Sequence, residues 1–232
     1  MILRSWDELP DFMHCKEVKP YYDTLAKKKI SLRIKRIFDI ILAGSLFVIL
    51  AVPMLIISIM IKLDSEGPAF YRQERITAYG KKFKIHKFRT MVNDADKIGS
   101  TVTVSDDNRI TTIGTVLRKY RIDELPQLFD VLAGNMSFVG ARPEAVKYVK
   151  QYTKEMRATL LLPAGITSEA SIRYKDEAGM FDSSEDVDRI YVEQILPEKM
   201  KYNLKSIKDF SFWGEIHTII RTIHVIFLKK CD

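Results

Sequence analysis

Between Ile40 and Ile61 the chain carries no charged residue. A run of that length matches the roughly 20 apolar residues that cross a bilayer core as a helix. Whatever this chain folds into must therefore place one long apolar helix. The run is too long, and starts too far from Met1, to be the apolar part of a signal peptide. Pro53 sits near its middle, where proline removes a backbone donor and favours a kink. Both flanks are basic: Lys27, Lys28, Lys29, Arg33, Lys35 and Arg36 before it, and Lys62, Arg72, Arg75, Lys81, Lys82 and Lys84 after it. Lys and Arg beside an apolar helix hold that end on the cytoplasmic face. Three readings are open from composition: a re-entrant helix broken at Pro53, a plain transmembrane helix, and a buried core helix. The first accounts for both the proline and the two basic flanks.

The 232 residues suffice for one sizeable domain, or one domain plus a membrane element. The net charge of +7 points to polyanionic partners. The basic residues gather beside the apolar run and no nucleic-acid motif appears, so anionic lipid or a phosphorylated substrate is favoured and nucleic acid is not expected as a partner. Cys15 and Cys231 lie near opposite ends with no CxxC, which leaves neither a disulfide framework nor a zinc site and suits a reducing compartment. The four histidines are scattered, without HExxH spacing.

Three regions follow in order: a polar, peripheral arm over residues 1–31, the apolar helix over 32–63, and a soluble domain over 64–232. A short helix is predicted near Tyr21–Lys29. Strands are predicted over Ala69–Arg75 and Lys82–Phe88 around a turn at Tyr79-Gly80. Asn93–Lys97 reads as helical, and Gly99–Arg109 as a loop. Ile113, Val116, Leu117 and Tyr120 recur at helical spacing. So do Leu125, Leu128, Phe129 and Leu132, which Gly134 closes. Pro143 is expected to start a helix running to about Arg157. Leu160–Ile172 reads as loop or strand, and Ser184–Gln194 as a helix capped by Ser184. The apolar stripe from Phe212 to Phe227 suits an interfacial amphipathic helix with an aromatic anchor, or a helix packed on the core. The fold class is α/β and mostly helical, with a small β-hairpin or sheet.

The chemistry concentrates at Asp123-Glu124. Asp is a favoured N-cap, and Leu125 and Pro126 then complete a first turn that tolerates proline. Pro126 has no amide to engage the cap, which leaves Asp123 free for a ligand. Adjacent carboxylates repel when both are ionised, and a divalent cation relieves that repulsion. Mg²⁺ commonly takes one or two carboxylates plus substrate phosphate and water. Arg118 precedes the pair, Arg142 follows it in Gly140-Ala141-Arg142-Pro143, and Lys87 and Arg89 form a third basic group. Arginine binds phosphate oxygens bidentately. The bland alternative, a solvated helix start, stays open on these residues alone.

Four motifs in order resemble one family: Lys35-Arg36-Ile37-Phe38-Asp39, then Lys87-Phe88-Arg89-Thr90-Met91, then Asp123-Glu124-Leu125-Pro126-Gln127-Leu128, then Asn135-Met136-Ser137-Phe138-Val139-Gly140-Ala141-Arg142-Pro143. They are similar to the bacterial sugar transferases, monotopic phosphoglycosyl transferases that start surface-glycan assembly, over about Leu32 to Tyr152. The resemblance implies transfer of a sugar 1-phosphate from a UDP-sugar to polyprenyl (undecaprenyl) phosphate with release of UMP. It implies Asp123 as the nucleophile holding a covalent phospho-sugar, and Glu124, with Asp123, at Mg²⁺. Phosphate contacts fall to Arg118 and Arg142, with Lys87 and Arg89 as further substrate-binding candidates. A re-entrant helix on the cytoplasmic face of the bacterial inner membrane is also implied, and a homodimer stays open. Departures from the family pattern include Val52 where many relatives place serine before the break proline, Ala141 within the Arg-Pro motif, and Glu169-Ala170-Ser171-Ile172-Arg173-Tyr174 where Gln-Val-Asn-Gly-Arg is usual. The alternative function is a non-catalytic, membrane-anchored basic scaffold.

Overall fold

The computed structural model of the chain describes residues 3–95, 107–175 and 187–227. The apolar run forms the middle of one helix, α2, over Lys29–Asp64, after a short helix α1 over Lys19–Ala26. Pro53 lies inside α2 without ending it. The expected break is therefore not an interruption of the helix. Proline deletes one i→i−4 hydrogen bond, and the turns on either side stay helical.

Much of α2 faces outward: Val48, Ile49, Val52 and Leu55 are among its exposed side chains. Its inner face is unusual in holding two buried charges. Lys35 donates to the Val139 carbonyl at 3.0 Å and pairs with Glu215. Asp39 accepts from Ser137 Oγ at 2.8 Å. One turn away, Arg36 donates to the carbonyls of Val131 and Leu132 at 2.6 and 3.1 Å, filling the acceptors at the end of a short helix. The Lys-Arg-x-x-Asp motif is thus the clamp that fixes the long apolar helix to the rest of the fold.

Strands β1 (Phe70–Ile76) and β2 (Lys82–Phe88) pair antiparallel, as the alternation predicts. Tyr79 and Gly80 both take positive φ in the turn. Thr77, at the turn, ties the hairpin to a second sheet: its hydroxyl donates to the Asn135 carbonyl at 2.6 Å and accepts from Ala164 N at 3.1 Å. Helix α3 covers Thr112–Lys119, a 3₁₀ segment Ile122–Gln127, and α4 Leu128–Leu132. Strands β3 (Met136–Val139) and β4 (Ala164–Thr167) pair in parallel. Their ends meet backbone to backbone: a Cβ on Gly165 would lie 2.1 Å from Gly140 N, so only glycine fits there.

Between the sheets' elements run α5 (Val146–Val149) and a 3₁₀ segment Met156–Leu161. Of the helix expected from Pro143 to Arg157 only the single turn α5 and the start of the 3₁₀ segment form. Glu144 instead has its carbonyl bound by Ile76 N at 3.1 Å and its carboxylate bound by Tyr191, which holds the start of that segment extended. After β4 come α6 (Glu169–Arg173), α7 (Val187–Ile190), a π-helical turn Tyr191–Ile195, α8 (Leu196–Lys208) and α9 (Phe212–Phe227). Ser184 and most of 93–109 lie outside the described residues.

The polar arm is not peripheral. Met13, Val18 and Leu25 are fully buried against Leu161, Leu196 and Met200 in the largest core cluster. Polar composition hid this because a few inward-pointing apolar side chains suffice, while Phe12 and Ile30 of the same stretch stay exposed. A second cluster joins α2 to both sheets through Ala43, Phe83, Leu128 and Met136, and a third joins the end of α2 to Phe88 and Leu117. Helix α9 lies beside α2, with Phe212 edge-on to Phe38 at 5.6 Å, and leaves Trp213, Ile220 and Ile223 exposed.

Candidate active site

The site forms where β2, the 3₁₀ segment and the end of β3 converge. Period-2 alternation puts Lys87 on the same face of β2 as Phe83 and Ile85, toward the 3₁₀ segment. Arg121 takes the left-handed conformation (φ 57°) and reverses the chain after α3. Arg121, not Asp123, is therefore the residue flanking the turn, and Asp123 and Glu124 lie inside the turn. Asp123 does escape capping, as expected, but because of its place in the turn and not because Pro126 lacks an amide. Both carboxylates are buried, at 8% and 7% exposure.

The two acids have different surroundings. Glu124 Oε1 accepts from Lys87 Nζ at 2.8 Å and from Arg142 Nη2 at 2.5 Å. Burial alone would raise its pKa, but the Arg142 and Lys87 charges outweigh burial and hold it well below the usual carboxylate range. Asp123 Oδ1 is buried without a hydrogen-bond partner. Burial pushes its pKa above the ordinary value, the neighbouring Glu124 charge adds to this, and Lys87 and Arg118 oppose it. Two adjacent acids whose environments drive them apart have separable roles. Glu124 is a permanent anion that organises cations, and Asp123 is a more basic, unengaged carboxylate. Burial also lowers the pKa of Lys87 and of Arg118, against the attraction of Glu124 and Asp123 respectively.

These groups border a cavity of about 1250 Å³. Arg118 lies on its wall, and among the described residues its side chain makes one long hydrogen bond, 3.5 Å to Thr90 Oγ1. Lys87, Arg118, Arg142, Asp123 and Glu124 are therefore brought together as the motifs predict. Arg89 borders the cavity but its guanidinium is committed elsewhere. It donates to the carbonyls of Glu66, Ser65 and Ile61 and to Ser65 Oγ. A Cβ on Gly67 would collide with it. Arg89 thus anchors the end of α2 to the domain as well as bordering the cavity.

A second buried cluster on the cavity wall was not visible in the sequence. Tyr191 donates to Glu144 Oε1 at 2.7 Å and accepts from Lys199 Nζ at 3.0 Å. Arg75 lies near Glu144 and Arg142, its pKa lowered by burial. No local signal marks these residues, because they come from β1, the Arg-Pro loop and the α7–α8 helix pair.

For a metal, the donor set is limited. Among the described residues no three His, Cys, Asp or Glu side chains stand together as ligands. Two adjacent carboxylates, one with a buried and unpartnered oxygen, fit a magnesium ion whose coordination substrate phosphate and water would complete. They do not fit an all-protein cage.

Comparison with known proteins gives a consistent picture. A family model described as bacterial sugar transferase matches residues 30–229. A UDP-N-acetylgalactosamine-undecaprenyl-phosphate N-acetylgalactosaminephosphotransferase of Aeromonas hydrophila is 34% identical over 83% of this chain and 43% of its own length. A UDP-glucose:undecaprenyl-phosphate glucose-1-phosphate transferase of Escherichia coli K12 is 33% identical over 92% of this chain and 44% of its own length. A transferase of the same description from Caulobacter vibrioides is 33% identical over 86% of this chain and 71% of its own length. The chain spans less than half the length of the first two.

Proposed function

The chain belongs to the bacterial sugar transferase family, and from that premise we propose that it transfers a sugar 1-phosphate from a UDP-sugar to undecaprenyl or another polyprenyl phosphate, releasing UMP. The observation that carries the reading is the unpartnered, buried Asp123 oxygen set among Lys87, Arg118 and Arg142. A nucleophilic carboxylate needs positioning and freedom from competing donors, and a diphosphate needs cations around it.

In the proposed mechanism Asp123 attacks the phosphorus that carries the sugar. The bond from that phosphorus to the bridging oxygen breaks, and the oxygen leaves with UMP. The sugar phosphate is held as a mixed anhydride on Asp123. An oxygen of the lipid phosphate then attacks the same phosphorus, the anhydride bond breaks, and Asp123 returns as a carboxylate. The product is a polyprenyl diphosphate sugar, a starting point for surface polysaccharide. Arg118 and Arg142 stabilise phosphate charge, and Glu124 holds Lys87 and Arg142 in place. A magnesium ion held by Glu124 and Asp123 would neutralise phosphate charge when bound.

Membrane association is supported by the one helix long and apolar enough to cross a bilayer among the described residues. The finer reading, attachment to the cytoplasmic face of the bacterial inner membrane from one leaflet, has a physical support. Helix α2 is tied to the domain near its start by Lys35 and Asp39, and at its end by Asp64, which accepts from Ile113 N at 3.1 Å, and by Arg89. A helix held at both ends by one folded body cannot place those ends on opposite sides of a bilayer. Lys29→Cys and Lys62→Cys are accordingly expected to react with an impermeant thiol reagent from the cytoplasmic side only. Labelling of either from the other side would establish a crossing helix.

The test of the reaction is UMP release from a panel of UDP-sugars, beginning with UDP-glucose and UDP-N-acetylgalactosamine, in lipid with undecaprenyl phosphate and with or without EDTA. Release from one sugar, lost in EDTA, supports the reading. No release from folded protein with any sugar favours the scaffold alternative.

The electrostatics give a further expected result. The nucleophile must be ionised, so activity rises as pH rises through the elevated Asp123 pKa. Glu124→Gln removes the charge that raises Asp123 and releases two cations toward it. The acid limb of the rate–pH profile should then move to lower pH, while kcat falls roughly tenfold or more as the phosphate-binding cations lose their anchor. An unmoved acid limb would remove Asp123 as the group that titrates.

A further inference from the structure

Strand β1 carries a polar row that the reaction above leaves unused. Period-2 alternation puts Tyr71, Gln73 and Arg75 on one face, and all three border the cavity. The register sets Tyr71 opposite Lys87, Gln73 opposite Ile85 and Arg75 opposite Phe83. Directly opposed residues share a sheet face. This row therefore runs beside the one that delivers Lys87 to Glu124.

Arg75 is the anomaly in the row. It is partly buried, arginine cannot shed its charge, and buried charges are normally paired. Yet among the described residues it forms no ion pair, and its one hydrogen bond goes to the neutral amide of Gln73. Glu144 attracts it and Arg142 repels it. Two arginines thus border one cavity close enough to repel each other, and neither local carboxylate joins them. Glu124 is bonded to Arg142 and Lys87. Glu144 accepts from Tyr191 at 2.7 Å and pairs with Lys199 at 3.7 Å.

We propose that Arg75 is a substrate-binding residue that, with Arg142, grips a phosphate of the donor or of the acceptor, an assignment that rests on the reaction proposed above. A phosphate is the anion that fits. Its oxygens accept the parallel N–H pair of a guanidinium and can take two such forks at once. Its charge converts the repulsion between the two arginines into attraction to a common partner. An uncharged polar group would not relieve that repulsion. Gln73 holds the fork through its amide oxygen. The Glu144 carboxylate keeps a negative charge within range of Arg75 while its own hydrogen bonds go to other residues. Both substrates bring a phosphate, and experiment separates the two sources.

The test uses the full chain in lipid, with Arg75→Gln and Arg75→Lys. Calorimetry gives the affinity for UDP and for inorganic pyrophosphate, turnover gives KM for undecaprenyl phosphate, and a thermal melt reports the fold. Losing one charge-assisted fork should cost roughly tenfold or more in affinity. If the donor phosphate is the ligand, Arg75→Gln weakens UDP and pyrophosphate by that factor and leaves KM for undecaprenyl phosphate within about twofold. If the acceptor phosphate is the ligand, that KM rises by the same factor while UDP affinity holds. In either case Arg75→Lys falls between wild type and Arg75→Gln, because it keeps the charge and loses the fork. A purely structural role predicts something else. Adding Glu144→Gln to Arg75→Gln would then restore the charge balance, and with it both the melting midpoint and the affinity. That recovery would overturn the proposal, as would a change below about twofold in every ligand measurement. A wild type that releases no UMP from any UDP-sugar would overturn the transferase reading instead. The pyrophosphate affinity would then decide Arg75, an unchanged value in Arg75→Gln ruling it out.

Discussion

Replacing Asp123 by asparagine abolishes UMP release while leaving the protein as stable as before, or more stable. Asparagine keeps the shape of the side chain but cannot form the anhydride, so the expected loss is roughly a thousandfold or more, as when a covalent nucleophile is removed elsewhere. The stability expectation follows from linkage. Burial raises the Asp123 pKa in the folded state. The folded protein therefore holds this proton to higher pH than the unfolded chain does, and stability falls as pH rises through the raised value. At neutral pH the buried charge is a cost, and the amide removes it. A thermal melt of Asp123→Asn at neutral pH should show an equal or higher midpoint, and the gain should vanish as pH is lowered below the ordinary aspartate range. A lowered midpoint at neutral pH would mean that the carboxylate supports the fold, and the loss of activity could then be structural.

Glu215→Ala is expected to be the most damaging change outside the site. Its carboxylate is the partner of Lys35, whose side chain is 3% exposed. Removing one member of a buried pair leaves an uncompensated charge, which costs on the order of 3–5 kcal/mol. For a chain of this size that corresponds to a midpoint lower by roughly 6–20 °C. The clamp between α2, β3 and α9 would loosen. The double variant Lys35→Met, Glu215→Leu should recover most of the loss, because an apolar pair removes both desolvation costs. If the double variant is as unstable as Glu215→Ala, packing and not charge is responsible.

Arg89 and Lys87 show where sequence reasoning stops. Both are basic, two residues apart in one strand end, and both invite the same phosphate-binding role. Lys87 lies on the pleat face that meets Glu124, 37 residues away. Arg89 instead meets the carbonyls that close α2. Nothing local distinguishes them, because the choice depends on which element packs against each one. Lys35 and Asp39 are similar: their motif was legible, but their task depends on Val139 and Ser137, 104 and 98 residues later. The arm was misjudged for the same reason, since burial of Met13 and Val18 is decided by α8 and not by neighbouring residues.

What the sequence determined by itself is whatever short-range chemistry controls. The uncharged run fixed one long apolar helix, the alternation of Phe83 and Ile85 set a hairpin, and the spacing of apolar residues from Phe212 set the last helix. It also put two acids side by side with arginines before and after them. Tertiary structure alone decided that one acid is neutralised by Lys87 and Arg142 while the other keeps an unpartnered oxygen. It likewise decided that α2 is tied to one body at both ends. These outcomes rest on contacts between distant segments, and a pattern read over a few turns carries no information about which distant surface it will meet.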